Sequence, residues 1–154
     1  MPFQKKQVER SFAVCPISHR VKAKCKRITR SSDPKSETSK LLKLDEIIRG
    51  WVNYFKIAKA KSSMQKLDGM IRTRLRISTW RNWKRIRTRV ANLIKLGIGK
   101  SVAYMWGNTS KKACRIAHSP ILMRTLDIKY FRQRGYIGFS NYYYRHSDER
   151  LSLF

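Results

Sequence analysis

The sequence predicts an all-α protein: a small helical bundle with a C-terminal appendage of short helices and a basic, mobile N-terminal arm. Three observations carry that expectation. From Leu41 to Phe55 the large apolar residues Leu41, Leu44, Ile48, Trp51 and Phe55 recur in steps of three and four, which is one face of a helix. Helix start and stop signals then follow one another along the chain, at Ser62, Gly97, Ser119-Pro120 and Gly135. There is neither an internal repeat nor a sustained heptad pattern, so a solenoid or a long coiled coil is not indicated.

The elements are read in order. Residues 1–40 hold many cations and few large apolar side chains, so they read as the arm, with the core beginning at Leu41. A first helix is expected over Leu41–Ala58, with Asp45 and Glu46 in its early turns, where the helix dipole favours negative charge. Gly50 lies within it, at a cost of about 1 kcal/mol relative to Ala. Close helix packing or close approach of a ligand would each explain a glycine there.

Ser62 and Gln65 read as a capping box opening a second helix, with Leu67, Ile71 and Leu75 buried. The period falters over Ile77–Trp80, where a kink or short loop is expected. A basic helix follows over Trp83–Leu96, with Ile86, Val90, Leu93 and Ile94 inward and Gly97 as its left-handed stop. Short helices are expected over Lys100–Trp106, Pro120–Leu126 (capped by Ser119) and Ile128–Arg134. Tyr136–Phe139 reads as an extended piece or turn, and Ser140 as the cap of a last turn. Divided by composition, the chain has an arm (1–40), a helical domain (41–107) and a short-helix extension (108–154).

Charge dominates the composition. Thirty-six Lys and Arg stand against nine Asp and Glu, a formal charge of +27 on 154 residues. Self-repulsion at that level opposes compaction, and it makes sense when a polyanion neutralises the field. Nucleic acid is the polyanion that releases condensed counterions on neutralisation. At 42% hydrophobic and 11% aromatic residues, the chain still has material for a core. Three dispersed cysteines and three dispersed histidines show neither disulfide-framework nor zinc-ligand spacing, and no cofactor is indicated. No apolar run approaches a membrane span, so a cytoplasmic, bacterial setting without membrane partners is expected.

Candidate binding residues concentrate on the second and third long helices: Lys66, Arg72, Arg74, Arg76, Arg81, Lys84, Arg85, Arg87 and Arg89. Arginine suits phosphate because its planar fork donates two hydrogen bonds to one anion. On this reading Arg72, Arg74 and Arg76 serve RNA and are dispensable for folding. Trp80 and Trp83 can be core residues or platforms on which exposed bases stack. A second cluster, Lys111, Lys112 and Arg115 beside Thr109 and Ser110, places hydroxyls among cations at a helix start, the makings of a phosphate nest. His118 can read RNA through its ring or hold the turn before Pro120. The adjacent carboxylates Asp45-Glu46 point in different directions on one helix and Asp148-Glu149 sit near the C-terminus, while Gly-rich phosphate loops and paired nucleophiles are missing from the sequence, which speaks against most enzymatic readings.

Ordered motifs then resemble a known family. The run Leu44-Asp45-Glu46-Ile47-Ile48-Arg49-Gly50-Trp51-Val52-Asn53-Tyr54-Phe55 is similar to the signature of the maturase-specific domain of group II intron reverse transcriptases. Leu67-Asp68-Gly69-Met70-Ile71-Arg72-Thr73-Arg74-Leu75-Arg76 and Trp80 to Lys84 resemble its next two motifs, and the likeness continues to about residue 145. The resemblance implies a mostly helical thumb, or domain X, that grips group II intron RNA and stabilises its splicing-competent fold while the RNA performs the chemistry. It also implies contact with template–primer duplex or a DNA target. The fingers, the metal-binding palm and the endonuclease cassette of longer members are not in this sequence, so a non-catalytic, truncated member of a mobile element is expected, with a separate palm chain as one conceivable partner. A general basic nucleic-acid module and an inactive remnant of a reverse transcriptase remain as alternatives.

Overall fold

The computed structural model describes residues 16–30, 32–33, 35–55 and 61–151. Nine α-helices and no strands occur among them: α1 (Pro16–Ile28), α2 (Glu37–Phe55), α3 (Lys61–Asn82), α4 (Ile86–Lys95), α5 (Lys100–Gly107), α6 (Ala113–Ala117), α7 (Pro120–Thr125), α8 (Ile128–Gln133) and α9 (Phe139–Leu151). The all-α expectation is met.

The long α3 is the axis of the bundle. It packs against α1 on one side, α6 on another and α9 on a third, and α2 contacts both α1 and α9. Its buried residues are Met64, Leu67, Ile71 and Leu75, followed by Ser78, Thr79 and Trp80 in succession. The helix runs unbroken through Ile77–Trp80, so no loop interrupts it there. The apolar period falters there because neighbours cover the helix on several sides, not because the helix breaks. Ser62 lies inside α3, which already runs from Lys61; its cap position falls outside the described residues, as does the expected extension of α2 to Ala58.

Helix α2 buries Leu41, Leu44, Ile48, Trp51 and Val52, as its spacing dictates. It starts at Glu37, four residues earlier than expected, so Glu37 is its first-turn acid while Asp45 sits further in and pairs with Arg49 at 2.9 Å. Trp51 packs on Phe55 (4.9 Å between ring centroids) and meets Phe139 of α9 edge-on at 5.6 Å.

The core begins at Val21, not at Leu41. Val21 and Cys25, one turn apart on α1, join the same buried cluster as Leu41 and Phe139. Val21, Cys25 and the partly buried Ile28 mark that face in a segment crowded with cations, so composition hid a helix that its spacing allows. Of the segment read as an arm, residues 1–15 lie outside the described residues. Complete burial of Cys25 pushes its thiol up to about 11.

Helices α4 and α5 form a tight pair. A Cβ on Gly107 would come within 2.6 Å of Val90 Cγ2, so only glycine permits this approach. Helix α4 buries Val90 and Leu93, but Ile86, expected inward, is half exposed at its first position. Gly97 does stop it: at φ +89° it donates to the Ile94 carbonyl, while Ile98 donates to Leu93, the paired bonds of a Schellman ending. Ser119 caps α7 as expected, accepting from Leu122 N–H at 3.4 Å.

The start of α9 is held differently. The helix already includes Phe139 and Ser140, so Ser140 is not its cap, and the residue before it, Gly138, has no side chain to offer. The cap comes from α3. Asp68 Oδ1 accepts from Phe139 N–H at 2.7 Å and from the Tyr136 hydroxyl at 2.8 Å, and Oδ2 accepts from Ser140 N–H at 2.8 Å. A carboxylate at a helix N-terminus is favoured by the dipole, and charge-assisted bonds are the stronger kind. Burial in the first place, and Asp68 in the second, raise the Tyr136 phenol well above its ordinary value.

Two outcomes follow. Asp68→Ala strands two backbone donors and a buried hydroxyl, and we expect a loss of about 3 kcal/mol in urea unfolding, with Asp68→Asn intermediate. Cys25 ionises near its usual 9.0 when unfolded and near 11 when folded, so the native state resists losing that proton and stability falls as pH rises through this window. At pH ~10 the expected loss is about 1 kcal/mol, absent in Cys25→Ser, as read from thermal melts at neutral and alkaline pH.

Candidate nucleic-acid interface

Between Asp68 and Asp127 the chain contains no acidic residue. All of α4, α5, α6 and α7 falls in this stretch, with most of α3, and its cations must find partners other than carboxylates. The structure sorts them into two groups.

The first group faces inward and binds the C-terminal ends of helices, where carbonyls lack intrahelical partners and the dipole is negative. Arg74 reaches α1, donating from Nη2 to the Lys26 carbonyl at 3.0 Å and from Nε to Thr29 Oγ1 at 2.7 Å. Arg76 is 8% exposed and donates from Nε to the Leu126 carbonyl at the end of α7, 2.9 Å away. Burial, with Arg72 alongside, lowers its pKa from the ordinary value. Arg89 donates to the Trp83 carbonyl just past α3, at 2.9 Å. Arg74, Arg76 and Arg89 thus act as structural ties, a role that their reading as phosphate ligands did not include. A helix-end carbonyl and a phosphate oxygen are both acceptors on a negative centre, and sequence spacing does not tell them apart. Arg72 uses Nε on its own helix, at the Asp68 carbonyl (3.3 Å), and stays half-buried.

Trp80, left open by the sequence between core and platform, packs in the core. Only 2% of it is exposed, Trp83 packs at 5.9 Å, and the Arg89 guanidinium lies 4.8 Å over its ring. That cation occupies the space a base would need. Trp83 is partly buried against the same core. Among the described residues the exposed aromatic side chains are Tyr54 on α2, Tyr104 on α5 and, at the margin, Tyr144 on α9, none of which the charge-centred sequence reading took as a binding residue.

The second group is exposed. Arg81 ends α3, Lys84 and Arg85 form the turn after it, and Arg87 opens α4, so four exposed cations surround one helix junction. Lys111, Lys112 and Arg115 stand together at α6, where they line a shallow depression with Ser110, Cys114 and His118. Lys111 Nζ lies 5.6 Å from the centroid of the Trp106 ring, and its backbone N–H donates to Thr109 Oγ1 at 3.4 Å. His118 is exposed in the same depression rather than buried in the turn. Lys66 is exposed as well, but fifteen residues along α3 from Arg81 is about 22 Å of helix, so it belongs to the opposite end. The exposed cations of α1 (Arg20, Lys24, Lys26, Arg27) and of α8 (Lys129, Arg132) add to the field and were absent from the sequence-derived set.

Gly50 is also revised. It is exposed, and a Cβ there would meet nothing within 4 Å, so helix packing does not explain it. No cluster of three or more metal-ligating side chains occurs among the described residues, and no helix there is long and apolar enough to cross a membrane.

Against this geometry, the maturase-specific domain of group II introns matches residues 18–97, just over half of the chain. The chain belongs to that family. The matched span opens inside α1 rather than at residue 40, in keeping with the place of Val21 and Cys25 in the core, and it closes at the Gly97 stop. Among curated proteins, no relative matches the chain.

The sorting of cations into ties and exposed groups is open to test. Arg76→Ala leaves a buried carbonyl without its donor and should cost about 2 kcal/mol in urea unfolding, and Arg74→Ala about 1 kcal/mol. Arg87→Ala should stay within about 0.5 kcal/mol of the parent.

Proposed function

We propose that this maturase-specific domain binds folded group II intron RNA through its exposed cations and stabilises the RNA's active fold. The binding surface runs over the α3–α4 junction (Arg81, Lys84, Arg85, Arg87) and the α6 depression (Lys111, Lys112, Arg115). The observation that carries the reading is the acid-free stretch between Asp68 and Asp127. Once helix ends have taken Arg74, Arg76 and Arg89, the exposed Lys84, Arg85, Arg87, Lys111, Lys112 and Arg115 find no carboxylate within that stretch. Phosphate supplies the missing charge, and counterion release supplies free energy.

In this role the protein contributes binding and orientation, and the splicing chemistry belongs to the RNA. Phosphate contacts fix register on the RNA, whereas contacts to bases confer selectivity. Tyr104, exposed on α5, offers a ring to an unstacked base.

Affinity for intron RNA should fall about a hundredfold or more between roughly 50 and 200 mM salt in filter-binding titrations. The combined Lys84→Ala, Arg85→Ala, Arg87→Ala variant should weaken binding and reduce the salt slope by about two to three, with its melting temperature unchanged. A salt-independent affinity would remove the mechanism. Equal affinity for a random RNA of the same length would reduce the protein to a general basic module.

A further inference from the structure

We propose that a cavity between α3, α8 and α9 receives the base of one unpaired nucleotide of the bound RNA. The proposal rests on the RNA-binding reading above and adds a site to it that lies away from the α3–α4 junction. The cavity measures about 220 Å³. That lies below the ~300–1,000 Å³ of cavities that hold drug-sized ligands, so one ring system can enter and a base pair cannot.

The charge arrangement decides what goes inside. Asp68, 8% exposed, contributes to the lining, and its two oxygens are already committed to three donors from the start of α9 and Tyr136. A phosphate inside would meet that carboxylate and be repelled. An uncharged ring would not. Ile128 of α8 and Ile137 supply apolar walls to such a ring.

Two guanidiniums also line the cavity: Arg132, which is exposed, and Arg72, which uses only Nε on its own helix. They suit the phosphate that remains outside when the base enters. Two side-chain amides complete the set. Gln65 is exposed, and Asn141 donates to the Ile137 carbonyl at 3.3 Å, which leaves its Oδ1 as an acceptor. Amides offer both donors and acceptors, which is what the Watson–Crick edge of a splayed base requires. Acid within, cations beside the opening, apolar walls and amides together select a nucleotide over a simple anion.

The test compares two RNA hairpins, identical except that one carries a single-nucleotide bulge, by fluorescence anisotropy at fixed salt with the full chain. The parent should bind the bulged hairpin about tenfold more tightly. Gln65→Trp and Ile128→Trp each place a bulky ring in the cavity without altering net charge, and both positions are exposed enough to leave folding intact. In these variants the preference should vanish while affinity for the paired hairpin is retained. Equal binding of the two hairpins by the parent, or a preference that persists in both variants, overturns the site and leaves the exposed cations of the α3–α4 junction and α6 as the RNA contact. Failure to bind either hairpin at low salt overturns the RNA-binding reading and the site with it.

Discussion

Nine acids cannot neutralise thirty-six cations, and the fold depends on how that imbalance is met inside the bundle. Its answer is the helix C-terminus. Three arginines and one lysine reach carbonyls at or just beyond helix ends: Arg74 on α1, Arg76 on α7, Arg89 past α3, and Lys40 on the Arg30 carbonyl at 3.0 Å. The three arginine contacts satisfy orphan acceptors, Lys40 shares the Arg30 carbonyl with Asp33 N–H, and all four place positive charge near the negative end of a dipole. Arg74 and Arg76 join elements distant in sequence and Arg89 and Lys40 join consecutive ones, so the cations that would drive the chain apart help to hold it together.

Asp68 is the complement of that arrangement. As a buried acid at the centre of α3, it meets no cationic side chain head-on but the positive end of α9, together with the Tyr136 hydroxyl. Desolvation of a carboxylate is tolerable when several donors replace its water, and three do so here. The same contact closes the bundle, because α9 brings Phe139 onto Trp51 of α2. It also forms one wall of the nucleotide-sized cavity, so a single residue connects the packing of the C-terminal helix to the chemistry of a recess beside it.

The proposed RNA-binding surface is then what the internal ties leave over. Exposed cations gather where α3 gives way to α4 and at α6, on short, rigid elements tied to the core by Trp80, Val90 and Ile116. Rigid placement matters for RNA recognition, since phosphates held in register by a structured transcript need cations that are already positioned. Family membership and geometry meet at this point: the matched span, residues 18–97, contains the axis α3, its junction with α4 and the helix α1 that Arg74 secures.

Read alone, the sequence determined the helical class, the buried stripe of α2, the Gly97 and Ser119 boundaries, the family and the cationic excess that calls for a polyanion. Each of these rests on local periodicity, on turn chemistry or on net charge, which survive without knowledge of neighbours. Tertiary structure decided the rest. Whether Arg76 grips phosphate or a buried carbonyl depends on α7, fifty residues downstream, lying against it. Whether Trp80 is a platform or a core residue depends on Arg89 covering its ring. The helix hidden in a lysine-rich segment became legible only once Val21 and Cys25 met the core. A cation or an aromatic ring serves two environments equally well, and only the atoms that the fold brings beside it choose between them.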